Sequence, residues 1–323
     1  MEYEKLGRAN VRVSKLCLGT MNFGMVTEER EAFGIMDCAI DAGINFFDTA
    51  NSYGGYNSRG LTESIIGKWL KNTGKRNHVF LADKVYHLSE KFFFNINDEV
   101  GLSSYKIKHH IECSLRRLCT DHIDLYQMHH VDREASWAEV WPELSRLYYA
   151  GKISYVGSSN FTAYDIAVCN RSTVPEYPLG LVSEQHKYNL LCRLPELEVI
   201  PACEREKMAL LVWGPLDAGR LSDHPFDKLE RTRASHNSFD EIQLVSVNRF
   251  LDFCRENNLN PAHVAISWLL KNPNVTSVII GPRTLSQLQS CIKATELDIT
   301  PYLKEINRIF PSVGGRAPEV YAW

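Results

Sequence analysis

Ile123-Asp-Leu-Tyr-Gln-Met128, then Ser136-Trp-Ala-Glu-Val-Trp-Pro-Glu-Leu-Ser-Arg-Leu-Tyr-Tyr-Ala-Gly151, then Ile153-Ser-Tyr-Val156 decide the fold. The outer pieces are short apolar runs bounded by polar residues, which suits buried strands. The middle piece opens on a serine able to cap a helix and closes on a glycine able to end one. Pro142 inside it predicts a bend or a short break. Strand, helix, strand in that order means parallel strands joined by a right-handed crossover.

The unit repeats on both sides. Further candidate strands are Lys15–Leu18, Ile44–Phe47 and Val79–Ala82 upstream, and Leu181–Ser183, Ala209–Val212 and Ser277–Ile280 downstream. That makes eight, and their mostly continuous hydrophobicity suits strands covered on both faces. Thr27 reads as the cap of a helix running to Ala42, and Ser104 as the start of one through Leu118. Thr162, Asn260-Pro261 and Thr300-Pro301 open others, with proline in the first turn where its missing N–H matters least. Tyr3–Leu6 and Val11–Val13 read as a hairpin ahead of the first unit. Eight units without a composition break predict one domain over 1–323, an α/β fold of the (β/α)8 TIM-barrel type. The alternative, an open doubly wound sheet, usually carries Gly-x-Gly-x-x-Gly after its first strand, and the chain has none. The wide gap after strand 7 makes Pro215 to Asp240 a long loop with Arg220, Lys228, Arg231 and Arg233.

Composition narrows the function classes. Lys and Arg number 36 against 39 Asp and Glu, a net charge of −3. Nothing global therefore favours nucleic acid or an anionic membrane surface as partner. No apolar run approaches the ~20 residues of a membrane span. Met1-Glu-Tyr-Glu-Lys5 does not open a signal peptide. Nine dispersed cysteines without a Cys-x-x-Cys pair read as reduced thiols in a cytoplasmic protein. No metal site is expected, since His129 and His130 are strand neighbours and point to opposite faces. His109 and His110, beside Lys106 and Lys108, read as a solvated helix face. The oligomeric state stays open, a homo-oligomer being compatible with the sequence.

Barrel chemistry gathers where strands end and loops begin. In order, the eight ends deliver Gly19-Thr20-Met21, Asp48 with Tyr53, Lys84, His129-His130, Ser158-Ser159-Asn160, Gln185, Trp213 and Gly281-Pro282-Arg283. Asp48 is the candidate partner that holds Lys84, because a buried charge needs one. An ammonium beside a phenol favours the phenolate, so Lys84 is expected to make Tyr53 a usable proton donor. His129 is placed to hydrogen-bond the same substrate oxygen. A proton donor with no evident nucleophile points to protonation of a developing alkoxide. A hydride source is then required. Ser159, Asn160 and Gln185 suit a carboxamide, and Trp213 offers a flat face for an aromatic ring. Gly281-Pro282-Arg283 ahead of a helix suits a phosphate. These groups fit a nicotinamide dinucleotide held without a Rossmann motif.

The set resembles the aldo-keto reductase family. The matching segments run in order from Leu18-Gly-Thr-Met21 and Asn45-Phe-Phe-Asp-Thr-Ala50 with Tyr53-Gly54, through Lys84-Val85 and Asp121-His-Ile-Asp-Leu-Tyr-Gln-Met-His129. They continue with Tyr155-Val-Gly-Ser-Ser-Asn-Phe161, Glu184-Gln185, Trp213-Gly-Pro-Leu216 and Ile280-Gly-Pro-Arg-Thr284 with Gln287-Leu288. The resemblance implies a catalytic tetrad of Asp48, Tyr53, Lys84 and His129. It implies reduction of an aldehyde or ketone with NADPH, or less often NADH. Cofactor contacts are then expected from Gly19, Thr20, Met21, Asp48, Ser159, Asn160, Gln185, Trp213, Gly214, Pro215, Leu216, Gly219, Arg220, Gly281, Arg283, Gln287 and Cys291. Cys291 and Ser290 stand where the family often has asparagine and an acidic residue, and Asp83 stands where a small polar residue is commoner.

A narrower resemblance is to bacterial members acting on keto or enoyl nucleotide-deoxysugars, through Glu2-Tyr-Glu-Lys-Leu-Gly7, His129-His-Val-Asp-Arg133 and Ala317-Pro-Glu-Val-Tyr-Ala-Trp323. Tyr86, Phe93, His130, Tyr321 and Trp323 are the candidate substrate-pocket residues. Two other functions compete. One is a redox-sensing subunit like the family's potassium-channel β subunits. The other is a lyase using Lys84 as a Schiff base, which requires a depressed lysine pKa.

Overall fold

The computed structural model describes residues 1–55, 57–88, 97, 100–223 and 241–322. A hairpin of β1 (Tyr3–Lys5) and β2 (Arg12–Ser14) comes first, antiparallel with Glu4 opposite Val13. Eight strands follow: β3 (Leu16–Gly19), β4 (Phe46–Asp48), β5 (Phe80–Val85), β6 (Ile123–Met128), β7 (Ile153–Ser159), β8 (Leu181–Lys187), β9 (Ala209–Trp213) and β10 (Val275–Ile280). Each pairs in parallel with the next, and β10 returns to β3, so the sheet closes. This is the (β/α)8 barrel expected.

Helices cover the outside: α1 (Glu29–Asp41), α2 (Leu61–Thr73), α3 (Ser104–Leu118), α4 (Trp137–Tyr149), α5 (Ala163–Arg171), α6 (Val199–Glu206), α7 (Glu241–Glu256), α8 (Pro261–Lys271), α9 (Leu285–Lys293), α10 (Leu303–Ile309) and α11 (Glu319–Ala322). Several begin as the residues dictate. Ser136 accepts from Ala138 N–H, Asn260 from His263 N–H, and Thr162 with Asp165 forms a reciprocal capping box. No described helix is long and apolar enough to cross a membrane.

Three expectations are corrected, and a fourth falls largely outside the described residues. Thr27 does not cap α1, because its hydroxyl donates to the Arg283 carbonyl, and the helix starts from Glu28 without a side-chain cap. Pro142 does not break α4, which is continuous through it, although at the sixth helical position it forgoes the N–H bond to the Ala138 carbonyl. His110 is not on a solvated face. It is buried, with Nδ1 3.1 Å from the Asn51 amide. The expected loop from Pro215 to Asp240 is described only to residue 223, and Lys228, Arg231 and Arg233 lie outside the described residues.

Strand alternation divides the core in two. Cys17, Phe46, Ala82, Leu125, Val182, Ala209, Leu211 and Ile279 fill the barrel interior, with Leu6 and Val13 of the hairpin region joining them. The other face of each strand packs against the helices, as Leu18, Phe47, Leu81, Tyr126 and Val156 do. Gly19 is small for a packing reason: a Cβ there would lie 2.7 Å from Ile279 Cγ2 and 3.0 Å from the Ile280 carbonyl oxygen. The interior parity carries Asp48, Lys84, Gln127, Ser159, Gln185 and Trp213 to the same rim.

Candidate active site

Register places the polar residues side by side. Asp48 is opposite Gly19 and Ala82, Lys84 opposite Gln127, Ser159 opposite Gln185, and Lys187 opposite Trp213. Lys84 is wholly buried, and its ammonium has three oxygen partners. Nζ lies 2.5 Å from Asp48 Oδ1, 2.8 Å from the Thr49 carbonyl and 3.2 Å from the Tyr53 hydroxyl. Burial alone would lower the Lys84 pKa, but Asp48 and then Tyr53 outweigh it and raise it above the ordinary lysine value. The Schiff-base requirement of a depressed pKa is not met. The ammonium also stands 4.9 Å from the Tyr53 ring centroid.

Asp48 is held from its other side. Gln127 and Gln185 donate to Oδ2 through Nε2, at 3.1 and 2.8 Å. Gln127 was not among the expected residues. It sits two residues before His129 on one strand, so strand alternation was the signal that could have found it. Asn51 was missed as well: its N–H donates to the Lys84 carbonyl and its amide to the His87 carbonyl, tying the Tyr53 loop to the loop after β5.

His129 completes the group. Its ring meets Tyr53 edge-on at 5.8 Å and His87 at 5.0 Å between centroids. Burial, then the Lys84 ammonium, push its pKa well below the ordinary histidine value. The ring is therefore neutral at pH 7, and Nδ1 has no protein partner among the described residues. His130 packs against Tyr86 at 5.4 Å. Of the remaining pocket candidates, Phe93, Trp323 and the side chain of Tyr321 lie outside the described residues.

The cofactor candidates occupy four successive strand ends, β7 to β10, and the start of β3's loop. Asn160 adopts a left-handed backbone with φ +60°, which asparagine tolerates. Its amide donates to the His129 carbonyl, and its Oδ1 accepts from the Trp213 indole at 3.3 Å. Ser159 accepts from the same amide. Thr20 donates to the Asp48 carbonyl, and half-buried Met21 follows it. Beyond β9, Gly214 accepts from Asn189, Pro215 is buried, Leu216 packs on the core, and Gly219 and Arg220 follow in a tight turn.

At the start of α9, Thr284 caps the helix and Gln287 Oε1 accepts from the Arg283 N–H. Gly281 accepts from Asn22, and Glu31 accepts from the Leu285 N–H. Cys291 is packed against the core, and burial pushes its thiol up to about 12, so it is inert as a nucleophile. Two amides, an indole face, a cation-bearing turn and a capped helix start fit a nicotinamide dinucleotide. At α9 a phosphate would meet the Arg283 side chain, because the Arg283, Leu285 and Gln287 N–H groups already have side-chain acceptors.

A model of the Aldo/keto reductase family matches residues 15–309. The chain is 47% identical over 326 residues to uncharacterized oxidoreductase YrpG of Bacillus subtilis, covering 100% of both chains. It is 32% identical over 305 residues to norsolorinic acid reductase stcV of Emericella nidulans, covering 90% of this chain and 76% of the other. It is 29% identical over 331 residues to Protein tas of Escherichia coli, covering 93% and 94%.

Proposed function

The chain belongs to the aldo/keto reductase family, whose members reduce carbonyl compounds with NADP(H), and we propose that in this NAD(P)H-dependent oxidoreductase Tyr53 is the general acid. The observation that carries the reading is the wholly buried Lys84 ammonium, 3.2 Å from the Tyr53 hydroxyl and 2.5 Å from Asp48. A nicotinamide, when bound, supplies the hydride. Tyr53 gives its proton to the substrate oxygen, which carries the negative charge once its carbon is reduced. The resulting phenolate is stabilised by Lys84, which Asp48 keeps charged and in place. Gln127 and Gln185 fix the second Asp48 oxygen, so the carboxylate does not turn away. Neutral His129 offers one ring nitrogen to orient the carbonyl without placing a second full charge beside Lys84.

The same reading assigns Asn160, Gln185 and Trp213 to the nicotinamide end, the turn from Gly214 to Arg220 to the diphosphate, and Arg283 to a 2′-phosphate. A keto- or enoyl-sugar, free or nucleotide-linked, is the proposed substrate. The narrower sequence resemblance and the polar rim of Tyr86, His87 and His130 support it. A panel of simple aldehydes, free sugars and keto-deoxysugar nucleotides tests the choice by NADPH oxidation.

Tyr53→Phe is expected to lower turnover by about 10²–10⁴-fold or more, while NADPH still quenches tryptophan emission. Unchanged turnover in that variant removes Tyr53 from the acid role. Slow turnover on every carbonyl in the panel, with tight retention of the cofactor, would instead favour a redox-sensing subunit.

A further inference from the structure

The turn after the seventh barrel strand is held by three ionic side chains. Asp217, Ala218 and Gly219 take left-handed backbone in succession, with φ of +46°, +60° and +97°. That conformation is unfavourable for alanine above all, and the turn is maintained by backbone bonds from the Asp217, Gly219 and Leu221 N–H groups to the Gly214 and Leu216 carbonyls and by side-chain contacts. Asp217 supplies them. Its Oδ1 lies 2.7 Å from Lys187 Nζ and its Oδ2 3.4 Å from Arg220 Nε. Asp217 and Arg220 are only 5% and 6% exposed. Lys187 arrives from β8, in register with Trp213, and its ammonium stands 6.0 Å from that indole ring. The three charged residues also border a cavity of about 710 Å3, with Cys192, Arg193 and Gln243 on its other walls.

Two cations thus surround one buried carboxylate at a place where barrels of this architecture commonly bind phosphate, the loops after strands 7 and 8. The carboxylate neutralises groups that a phosphate would use, and it repels a phosphate brought close. We propose that Asp217 is a stand-in anion: it holds Lys187 and Arg220 and shapes the turn while no phosphate is bound, and it yields them to the dinucleotide's diphosphate. The inference rests on reading the turn from Gly214 to Arg220 as the diphosphate site. It assigns to this chain's own carboxylate a cost on cofactor affinity and a benefit to cofactor release.

The sign of one substitution separates this role from a structural one. NADPH binding by the full-length protein is followed by tryptophan quenching, with inorganic pyrophosphate as a competitor and, separately, as a thermal-shift ligand. Asp217→Asn is expected to tighten both ligands roughly three- to ten-fold, as removing one nearby charge implies. Lys187→Met is expected to weaken both by a similar factor. A folded Asp217→Asn protein that binds either ligand equally or more weakly overturns the proposal. If that variant does not fold, Asp217→Ser takes its place and is read by the same sign, because losing the charge without tighter binding contradicts a stand-in anion. Wild-type protein that binds neither NADPH nor NADH sinks the cofactor reading, and the pyrophosphate arm still tests Asp217.

Discussion

Asp83 and Lys84 are neighbours in β5, both shut off from solvent, and their side chains leave opposite faces of the barrel wall. On the inner face, Lys84 has an acceptor for each of its three protons, and the acceptors include the opposite charge. On the outer face, neither Asp83 oxygen has a hydrogen-bond partner of good geometry among the described residues. It faces Glu63 of α2, Arg117 of α3 and Tyr126, which is its register partner on β6. Arg117 already binds Glu63 through Nε at 2.7 Å. Two carboxyls therefore share one guanidinium in a dry space. Burial first, and the Glu63 charge second, push the Asp83 pKa well above the ordinary carboxyl value, with Arg117 and Lys84 pulling weakly the other way. One strand thus carries a satisfied charge where chemistry needs it and an unsatisfied acid one residue earlier. Burial of an ionisable group does not by itself mark a functional residue; its partners do.

The same substitution on the two faces should act in opposite directions. Asp48→Asn removes the charge that balances Lys84 and leaves a buried ammonium with only neutral oxygens. Breaking a buried pair in this way costs about 3–5 kcal/mol. The urea midpoint should fall accordingly, and turnover should fall with it, since Lys84 is no longer kept charged. A midpoint within experimental error of wild type would mean that water or another anion replaces Asp48, and the inner face would lose its distinction.

Asp83→Asn should instead stabilise. A carboxyl whose folded pKa is raised keeps its proton in the folded protein, so stability falls as pH rises from the ordinary carboxyl value toward the raised one. Asparagine has the same shape and carries no such cost. Its melting temperature should exceed that of wild type by a few degrees at pH 7, about what 1 kcal/mol produces in a chain of this size. The gain should vanish below about pH 3, where the wild-type acid is protonated whether folded or not. A loss at every pH would show that the Asp83 charge is needed against Arg117.

The contrast between faces also explains what the sequence disclosed and what it hid. Strands were readable because burial on both faces makes Ala209–Val212 continuously apolar and Ile123–Met128 mostly so. Asp48 and His129 stood out because each follows such a run directly, and Lys84 because it comes one residue later. Gln127 did not, because it lies inside its strand, where a polar residue looks like a flaw in the pattern. Helix α2 has Gly60 at its start, with φ +80° and no capping side chain, so nothing local announces it. Thr27 looked like a cap and was claimed by Arg283, 256 residues away. Lys187 and Asp217 were silent for the same reason: their pairing crosses two loops and has no local spacing. Charges that close an apolar run can be read and paired from the barrel order, as Asp48 and Lys84 were, whereas Lys187 and Asp217 close no such run.

The mildest test sets two tyrosines against each other. Tyr53 opens on the inner rim beside Lys84, and Tyr126 points outward with a buried hydroxyl that has no hydrogen-bond partner among the described residues. Burial, then Asp83 and Glu63, hold the Tyr126 phenol protonated well beyond the ordinary tyrosine range. An unpaired buried hydroxyl contributes little, and removing it relieves a desolvation cost of about 1 kcal/mol or less once packing is preserved. Tyr126→Phe should therefore leave the urea midpoint unchanged or slightly higher, and turnover within roughly two-fold of wild type. Tyr53→Phe should do the reverse, sparing stability and removing turnover. If Tyr126→Phe instead loses stability, its hydroxyl must be donating to Asp83 in solution. The outer cluster would then be a satisfied network, and Asp83→Asn should stabilise only in the Tyr126→Phe background, where that donor is gone.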